Sequence, residues 1–252
     1  MSLNILRRFT ITSILLFAGL TTANAENHEA SGWKNFIGFY LWGMSINGAA
    51  SIGSLDAPLD LNFKDDLLEN LTGAFSAHYE AKKDKLTLFG DYMYAEIEPK
   101  SELPNGAEAI VNFKNKMWEL GLAWDLTDSA ARTTWQLLGG IRSNKQELRV
   151  QVGNPVLVSV NEAWYDGFIG GRVIAPLSEK WQFVGRADVG TGDSDQVFNI
   201  VGALDWRFSK RASLLLGYKL MDYNYDNGKR GPEYYAYDAR QDGFLTALNF
   251  YW

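Results

Sequence analysis

Apolar and polar residues alternate one by one along many segments of this chain, and these segments are long. Strand-like runs of this kind lie at 36–50, 72–81, 86–98, 111–125, 133–152, 163–175, 181–190, 196–208, 212–225 and 243–252. A period of two residues is typical of β-strands whose two faces meet different surroundings. Many runs contain about 10 to 13 residues, enough for a tilted strand to cross a bilayer, whereas strands of soluble sandwiches are nearer 5 or 6. The pattern therefore favours a transmembrane β-barrel over a soluble sandwich.

The connections between the runs alternate in length, except that the link at 191–195 is short where a long one is expected. Tight polar turns occur at 82–85, 127–132, 176–180 and 209–211, and longer links occur at 51–71, 99–110, 153–162 and 226–242. This alternation is typical of the short periplasmic turns and long extracellular loops of outer-membrane barrels. With both chain ends on the periplasmic side, the number of strands must be even. We predict one all-β domain over 36–252, a single antiparallel up-and-down barrel of about ten strands, with eight or twelve as alternatives.

The two faces of the strands differ in a way that indicates which one meets lipid. One face is aromatic and aliphatic, and it carries Trp and Tyr near strand ends, where amphipathic rings suit the lipid headgroups. The other face is charged, and Gly and Ala recur beside the charges, as expected in a narrow lumen. Because every backbone group in hydrocarbon must be paired, such strands have to close on themselves. We therefore expect the apolar face outside and the charged face inside.

By the same alternation, twelve charged side chains are predicted to line the lumen. They are Glu80, Asp91, Glu119, Asp125, Arg142, Asp166, Arg172, Arg186, Asp188, Asp205, Arg207 and Lys219. A charge inside a narrow, low-dielectric tube is costly unless it is paired, and these signs are nearly balanced. A salt-bridged core that holds the barrel shut is the favoured interpretation, and a selective channel lining is the alternative. The first strand, 36–50, has apolar residues on both of its faces, so the sequence does not predict which face points into the lumen.

The N-terminal segment predicts export from the cytoplasm. Arg7 and Arg8 precede an apolar run at 11–20, and the small residues Ala23 and Ala25 follow as a cleavage site. We expect residues 1–25 to be a cleaved signal peptide and 26–35 to be a polar lead. Cleavage leaves 22 basic and 30 acidic residues. This acidic balance disfavours nucleic acid as a partner, since nucleic-acid binding calls for a basic surface.

Residues with the chemistry for catalysis or metal binding are scarce. The sequence has no Cys and two His, which excludes thiolate metal sites and Cys nucleophiles. His78 falls on the lumen face, one alternation from Glu80, and a His–carboxylate pair can activate water. A hydrogen-bonding role inside the lumen is favoured for it. The acidic loop at 192–195 lacks the remaining oxygen ligands of a calcium site. We therefore predict no enzymatic activity, no catalytic residue, no metal and no cofactor.

One link contains a helix-like segment at 64–71. Leu67, Leu68 and Leu71 share one of its faces. The segment could cap or partly plug the barrel mouth, or form a turn on the surface, and the surface turn is the favoured interpretation.

The last residues of the sequence carry a resemblance to a known assembly signal. Phe244, Leu248, Phe250 and Trp252 alternate up to an aromatic final position. This pattern resembles the β-signal that the barrel-assembly machinery reads in small outer-membrane β-barrel proteins of Gram-negative bacteria, although Phe is the common last residue there. Segments 39–42, 62–71, 90–94 and 217–223 resemble a family of proteobacterial barrels of this length, mostly without assigned activity. The resemblance implies location in the cell outer membrane and the assembly machinery as a partner.

These observations together predict a non-catalytic integral outer-membrane barrel with a role in envelope structure or surface interaction. The alternative is a narrow, porin-like channel for ions or small solutes. Outer-membrane lipids and lipopolysaccharide are the expected partners. The segment 234–240, rich in Tyr and preceded by Lys229 and Arg230, is a candidate contact for lipopolysaccharide, because Tyr and Arg are common at binding surfaces.

Overall fold

A computed structural model describes residues 32–102, 108–128, 131–152 and 156–252. The predicted signal peptide, 1–25, and most of the polar lead, 26–35, lie outside the described residues. So do parts of three predicted connections, at 103–107, 129–130 and 153–155.

Almost all of the described chain is β-strand. The strands are β1 (Lys34–Ile52), β2 (Leu55–Leu61), β3 (Leu71–Lys83), β4 (Leu86–Ile97), β5 (Lys100–Glu102), β6 (Glu108–Asp125), β7 (Thr134–Val152), β8 (Val156–Pro176), β9 (Trp181–Gly192), β10 (Gln196–Trp206), β11 (Ala212–Asp226) and β12 (Tyr235–Tyr251). A short π-helix (Phe63–Leu68) joins β2 to β3, and a 3-10 turn (Gly231–Glu233) precedes β12. In the part of the chain that is described, no helix is long and apolar enough to cross a membrane.

Ten of these strands form a closed antiparallel barrel. They pair in chain order as β1, β3, β4 and β6 to β12, and β12 pairs back onto β1 from Phe36 opposite Tyr251 to Ile52 opposite Tyr235. The two short strands lie beside this path, β2 on the far end of β1 and β5 on the start of β6. The prediction of a single up-and-down barrel of about ten strands is confirmed.

The end of the chain is paired, as its alternation indicates. Asn35 and Trp252 exchange two backbone hydrogen bonds, 2.9 Å from the Asn35 N–H and 3.1 Å from the Trp252 N–H. The backbone groups at this end of the barrel are thereby satisfied within the sheet.

Several strands reach further than their sequences predict, and the largest extensions are at the end that carries the long links. β8 begins at Val156 rather than 163, and β12 begins at Tyr235 rather than 243. Here the outward face is polar, and the inward face is apolar: Tyr235, Tyr237 and Ala239 are buried inside. Above the bilayer the outer surface of the wall meets water, so the polar face of a strand is outside and the apolar face is inside, the reverse of the arrangement in the membrane. In sequence, such a strand resembles a polar link.

The outer surface of the middle of the barrel is apolar. Its exposed side chains include Leu88, Tyr92, Leu120, Leu122, Trp124, Trp135, Leu137, Ile141, Ile169, Trp181, Val189, Ile200, Leu204 and Trp206. Stacked Trp181 and Trp206, with ring centroids 6.0 Å apart, stand near the end with the short turns. An exposed apolar band with aromatic residues near the strand ends is the surface that lipid requires.

The interior is divided into two layers. The layer nearer the short turns contains most of the charged side chains, and the layer nearer the long links is an apolar cluster rich in Tyr, Trp and Met. The first strand joins this cluster: Tyr40, Trp42 and Met44 point inward, whereas Phe39 and Leu41 point outward. Both of its faces are therefore apolar because one meets lipid and the other meets the aromatic layer.

Candidate functional site

Four charged side chains form a closed ring across the interior. Arg142 on β7 donates to Glu119 at 2.7 Å and to Asp188 at 2.7 Å. Arg186 on β9 donates to the same two carboxylates, at 2.9 Å to Glu119 and 2.7 Å to Asp188. Each guanidinium thus bridges both acids, and all four oxygens accept at least one charge-assisted hydrogen bond. The ring balances two positive charges against two negative ones.

Aromatic rings and an amide enclose this charged ring. Arg142 lies over the Phe168 ring at 4.8 Å, and Arg186 lies over both Phe168 and Phe89, at 5.3 and 5.4 Å. Asn199 on β10 donates to Asp188 at 2.7 Å. The faces of aromatic rings attract cations, so the guanidinium groups keep favourable contacts where water is excluded.

A second network, centred on His78 of β3, lies beside this ring, and its Asp91 is directly opposite Glu119 in the ladder. The two ring nitrogens of His78 lie 3.0 Å from Asp91 and 3.0 Å from Glu80. Tyr40 donates to the other oxygen of Asp91 at 2.7 Å, and Glu80 is paired with Arg172. An imidazole donates from both nitrogens only when it is protonated, so this arrangement fits a His78 that carries a charge between two acids.

The same network continues to the rim. Arg172 also donates to Gln136, and Gln136 donates to Asp125 at 2.6 Å. Lys82, at the end of β3, closes the chain of contacts on Asp125 at 2.6 Å. Side chains from six strands are linked in this way from Tyr40 to Lys82.

The other predicted lumen residues lie apart from these two networks. Asp166 accepts from the backbone and hydroxyl of Ser194, at 2.9 and 3.0 Å. Asp205 accepts from Gln182 at 2.9 Å and from Asn249 at 3.3 Å.

Two of the predicted lumen cations, Lys219 and Arg207, form no salt bridge with a carboxylate of the described residues. Lys219 is buried with its ammonium over the Trp42 ring at 4.6 Å. Arg207 is exposed at the short-turn rim, where it stacks over Tyr251 at 4.2 Å. Arg207 therefore does not join the buried charges.

The aromatic layer above the charges was not predicted from the sequence. Trp164 is 0% exposed, stacks on Tyr225 with ring centroids 4.2 Å apart, and meets Tyr223 edge-on at 6.4 Å. The Tyr223 hydroxyl contacts the sulfur atoms of Met117 and Met221, at 3.6 and 3.3 Å. The sequence signal for this layer is a set of Met and aromatic residues at the inward-facing alternate positions of β6, β8 and β11, in the parts of these strands nearer the long links.

The helical segment and the tyrosine-rich segment differ from their predicted positions. The helix spans Phe63–Leu68, and Leu67 is buried in the barrel wall, so the helix neither plugs the mouth nor stands free on the surface. Tyr235 and Tyr237 belong to β12 and point into the aromatic layer. These two tyrosines are therefore not a contact surface for lipopolysaccharide.

The residues of the predicted assembly signal all face outward on the last strand. The side chains of Phe244, Leu248, Phe250 and Trp252 are exposed on the apolar side of the wall. No group of three or more His, Cys, Asp or Glu placed to hold a metal ion occurs in the described ranges.

The comparisons with known proteins identify the fold. No protein-family model matches the chain, and no curated protein matches it in sequence. The barrel is similar to the outer-membrane protease OmpT from Escherichia coli, with a TM-score of 0.54 and 8% identity over 91% of this chain and 99% of that chain. It also matches the COG4313 outer-membrane channel from Pseudomonas putida F1, with a TM-score of 0.41 and 8% identity over 92% and 98% of the chains.

The fold is thus that of small Gram-negative outer-membrane β-barrels. A wall with this apolar outer band needs lipid around it. The protein is located in the outer membrane.

The charged ring gives a first testable expectation. Asp188→Asn leaves Arg142 and Arg186 buried beside a neutral amide, which should lower the free energy of unfolding by about 3 kcal/mol. Denaturant unfolding of the protein in lipid vesicles, followed by Trp fluorescence, measures this loss. Asp128→Asn is the matched control: its carboxylate, 91% exposed, meets Lys85 at 3.2 Å on the rim, and the free energy of unfolding should stay nearly unchanged. Equal stability of the two variants would contradict the structural importance of the ring.

Proposed function

We propose that this protein is a closed, non-catalytic barrel of the outer membrane that serves envelope structure and binds lipopolysaccharide at its outer wall. The observation that carries the proposal is the filled interior. Glu119, Arg142 and Asp188 of the charged ring are buried in the lumen, and the Arg186 side chain is 14% exposed. The aromatic layer around Trp164 is buried above the ring.

Passage of an ion through such an interior has two separate costs. The ion would have to break charge-assisted hydrogen bonds in a place from which water is excluded, which leaves buried charges unpaired. It would then have to part the stacked rings of Trp164 and Tyr225, which are packed as tightly as a protein core. Two consecutive barriers of different chemistry favour a closed barrel over a narrow pore.

The geometry around His78 favours a structural role over catalysis. A general base needs a free nitrogen within hydrogen-bond reach of a substrate proton. Both ring nitrogens of His78 meet carboxylates at 3.0 Å, and Phe36 and Phe89 lie beside the ring, with centroids 5.6 and 6.2 Å away. This supports a histidine that links two acids rather than one that activates water.

The proposed contact with lipopolysaccharide rests on a group of lysines on the outer wall. Lys114, Lys116 and Lys145 project outward from β6 and β7, just beyond the level of Trp118. Lys116 and Lys145 lie opposite each other in the ladder and both reach Glu147, at 3.2 and 3.1 Å. Lys114 meets Glu96 at 3.2 Å, so three ammonium groups face two carboxylates, which leaves an excess of positive charge at headgroup height. Phosphate groups of lipopolysaccharide offer the complementary charge.

The closed interior is tested by electrical recording. Refolded protein inserted into a planar bilayer should show no steady conductance, because both layers block the lumen. Protection of the strands from added protease verifies insertion. Steady openings whose conductance changes in Arg142→Gln or Arg186→Gln would contradict the proposal and would favour the pore.

The lysine group is tested by binding. We expect the triple variant Lys114→Gln, Lys116→Gln and Lys145→Gln to retain several-fold less lipopolysaccharide than the wild type, because the positive charges at headgroup height are lost. Native mass spectrometry of detergent-solubilised protein measures the bound fraction. The matched control replaces three lysines at the short-turn end with Gln: Lys83, the last residue of β3, and Lys180 and Lys210, on short turns. This variant should bind as the wild type does. Equal losses in both triple variants would show that net charge, not this site, governs binding.

A further inference from the structure

The wall of the barrel has a gap between β1 and β3. Pairing of the two strands runs from Lys34 opposite Lys82 to Phe39 opposite Ala77, and β1 next pairs with β2 from Ile46 onward. Between these ladders, residues 40–45 pair with β12 on one side, and on the other side no strand within the described residues pairs with them. Residues 71–76 of β3 likewise pair with β4 alone. We refer to this gap as the seam.

The short helix occupies part of the seam. The backbone N–H of Phe63 donates to the hydroxyl of Ser45 at 3.1 Å. The Phe63 ring lies against Gly43 so closely that a Cβ at that position would be 2.9 Å from it. Leu67 is buried against the wall, whereas Leu68 is exposed. The helix thus covers the backbone of β1 without restoring the missing ladder.

A cavity of about 130 Å³ remains beside the helix. Its lining is mostly apolar and includes Leu41, Trp42, Met44, Leu67, Met93 and Ile97. An engineered apolar cavity of about 150 Å³ is large enough to bind benzene. The space therefore holds several carbon atoms of a ligand rather than a whole lipid.

Polar groups without partners lie in this apolar lining. Asn115 is 1% exposed, and neither its amide oxygen nor its amide nitrogen has a hydrogen-bond partner among the described residues. The indole nitrogen of Trp42 is in the same state. Both residues line the cavity. Buried groups of this kind are nearly always hydrogen-bonded in native proteins, so their presence points to a polar group of a bound molecule.

The cavity lies at the level of the outer leaflet. Strands rise about 3.3 Å per residue and tilt by about 40°, so residues 40–45 stand roughly 15–28 Å above the start of β1, in the upper part of an apolar band about 25 Å tall. Leu41, Leu68 and Leu71 flank the seam on the outside, and all three are exposed. A molecule in the surrounding lipid can therefore reach the cavity sideways.

We propose that the seam binds a single-chain fatty acyl amphiphile from the outer leaflet. Its polar group hydrogen-bonds to Asn115 and to the indole N–H of Trp42, and its chain passes between Leu41 and Leu71 into the bilayer. Water alone would pair with these polar groups but would leave the apolar lining of the cavity wetted, whereas genuinely apolar cavities stay dry. A two-chain lipid exceeds the space, because pairing resumes at Phe39 and Ala77 directly below. The site lies in the wall, so it does not depend on whether the lumen conducts.

Photolabelling of the full barrel in phosphatidylcholine vesicles tests this proposal. The probe is palmitic acid with a diazirine in its chain, and peptide mass spectrometry locates the label. We expect saturable labelling of β1, the short helix and β3, with competition by unlabelled palmitic acid. Ala74 lines the cavity, so Ala74→Trp fills part of it and should reduce this labelling at least tenfold. Ala187→Trp, also at an exposed alanine of the wall but on β9, is the matched control and should leave it unchanged.

A second variant tests the polar contact separately. Asn115→Leu should weaken competition by palmitic acid roughly tenfold, while competition by hexadecane, which has no polar group, should be unchanged. Retained heat-resistant migration on gels verifies that each barrel is folded. Any of three results would overturn the proposal. The first is labelling spread evenly around the outer wall, and the second is saturable labelling that survives Ala74→Trp. The third is equal competition by palmitic acid in Asn115→Leu and the wild type.

Discussion

A peptide group in hydrocarbon has no water to bind, so it must find its hydrogen-bond partner within the protein. The long ladder between β1 and β12, from Phe36 to Ile52, closes the sheet by pairing its first strand with its last. The other features follow from this closure. The outer surface has to be apolar because it meets lipid, and every polar side chain in the membrane region has to turn inward. The seam matters because it is the place where a strand pair of the barrel is interrupted and side chains cover the backbone instead.

Closure also determines what the interior has to accommodate. Ten strands enclose a space that side chains can fill, and charges in that space are stable only when they are paired. The ring around Arg142 and Arg186 meets this condition with two acids, and the network around His78 meets it with Glu80 and Asp91. The aromatic layer meets the same requirement without charges, by packing Trp164 against Tyr225. Alternation and closure leave the residues themselves free to vary, which explains how OmpT shares this fold at 8% identity.

Much of this architecture could be predicted from alternation alone, because a strand has only two faces. Alternation separates Glu119 from Leu120 correctly, and counting the alternating runs predicts about ten strands. It does not give the height of a residue in the membrane, so Tyr235 and Tyr237, which point inward above the bilayer, resemble a polar link. Nor does it give the partner of a charge: the contact of Arg142 with Asp188 joins strands that are not neighbours in the sheet. The seam depends on where pairing stops, which no local pattern in 40–45 records.

The most direct measurement of the inside-out arrangement uses the absence of Cys from the sequence. Three variants, each with a single cysteine, can be treated with thiol reagents in vesicles. The cysteine replaces Ala203, which is buried inside, or Leu204, its lipid-facing neighbour, or Ser209 on a short turn. A closed barrel predicts that Ser209→Cys reacts with a charged, water-soluble reagent, Leu204→Cys only with a lipid-soluble one, and Ala203→Cys with neither. Rapid reaction of Ala203→Cys with the charged reagent would mean that the lumen is filled with water. Reaction of Leu204→Cys with the charged reagent would mean that the apolar face is not in lipid. Either result would contradict a closed barrel with its apolar face in lipid.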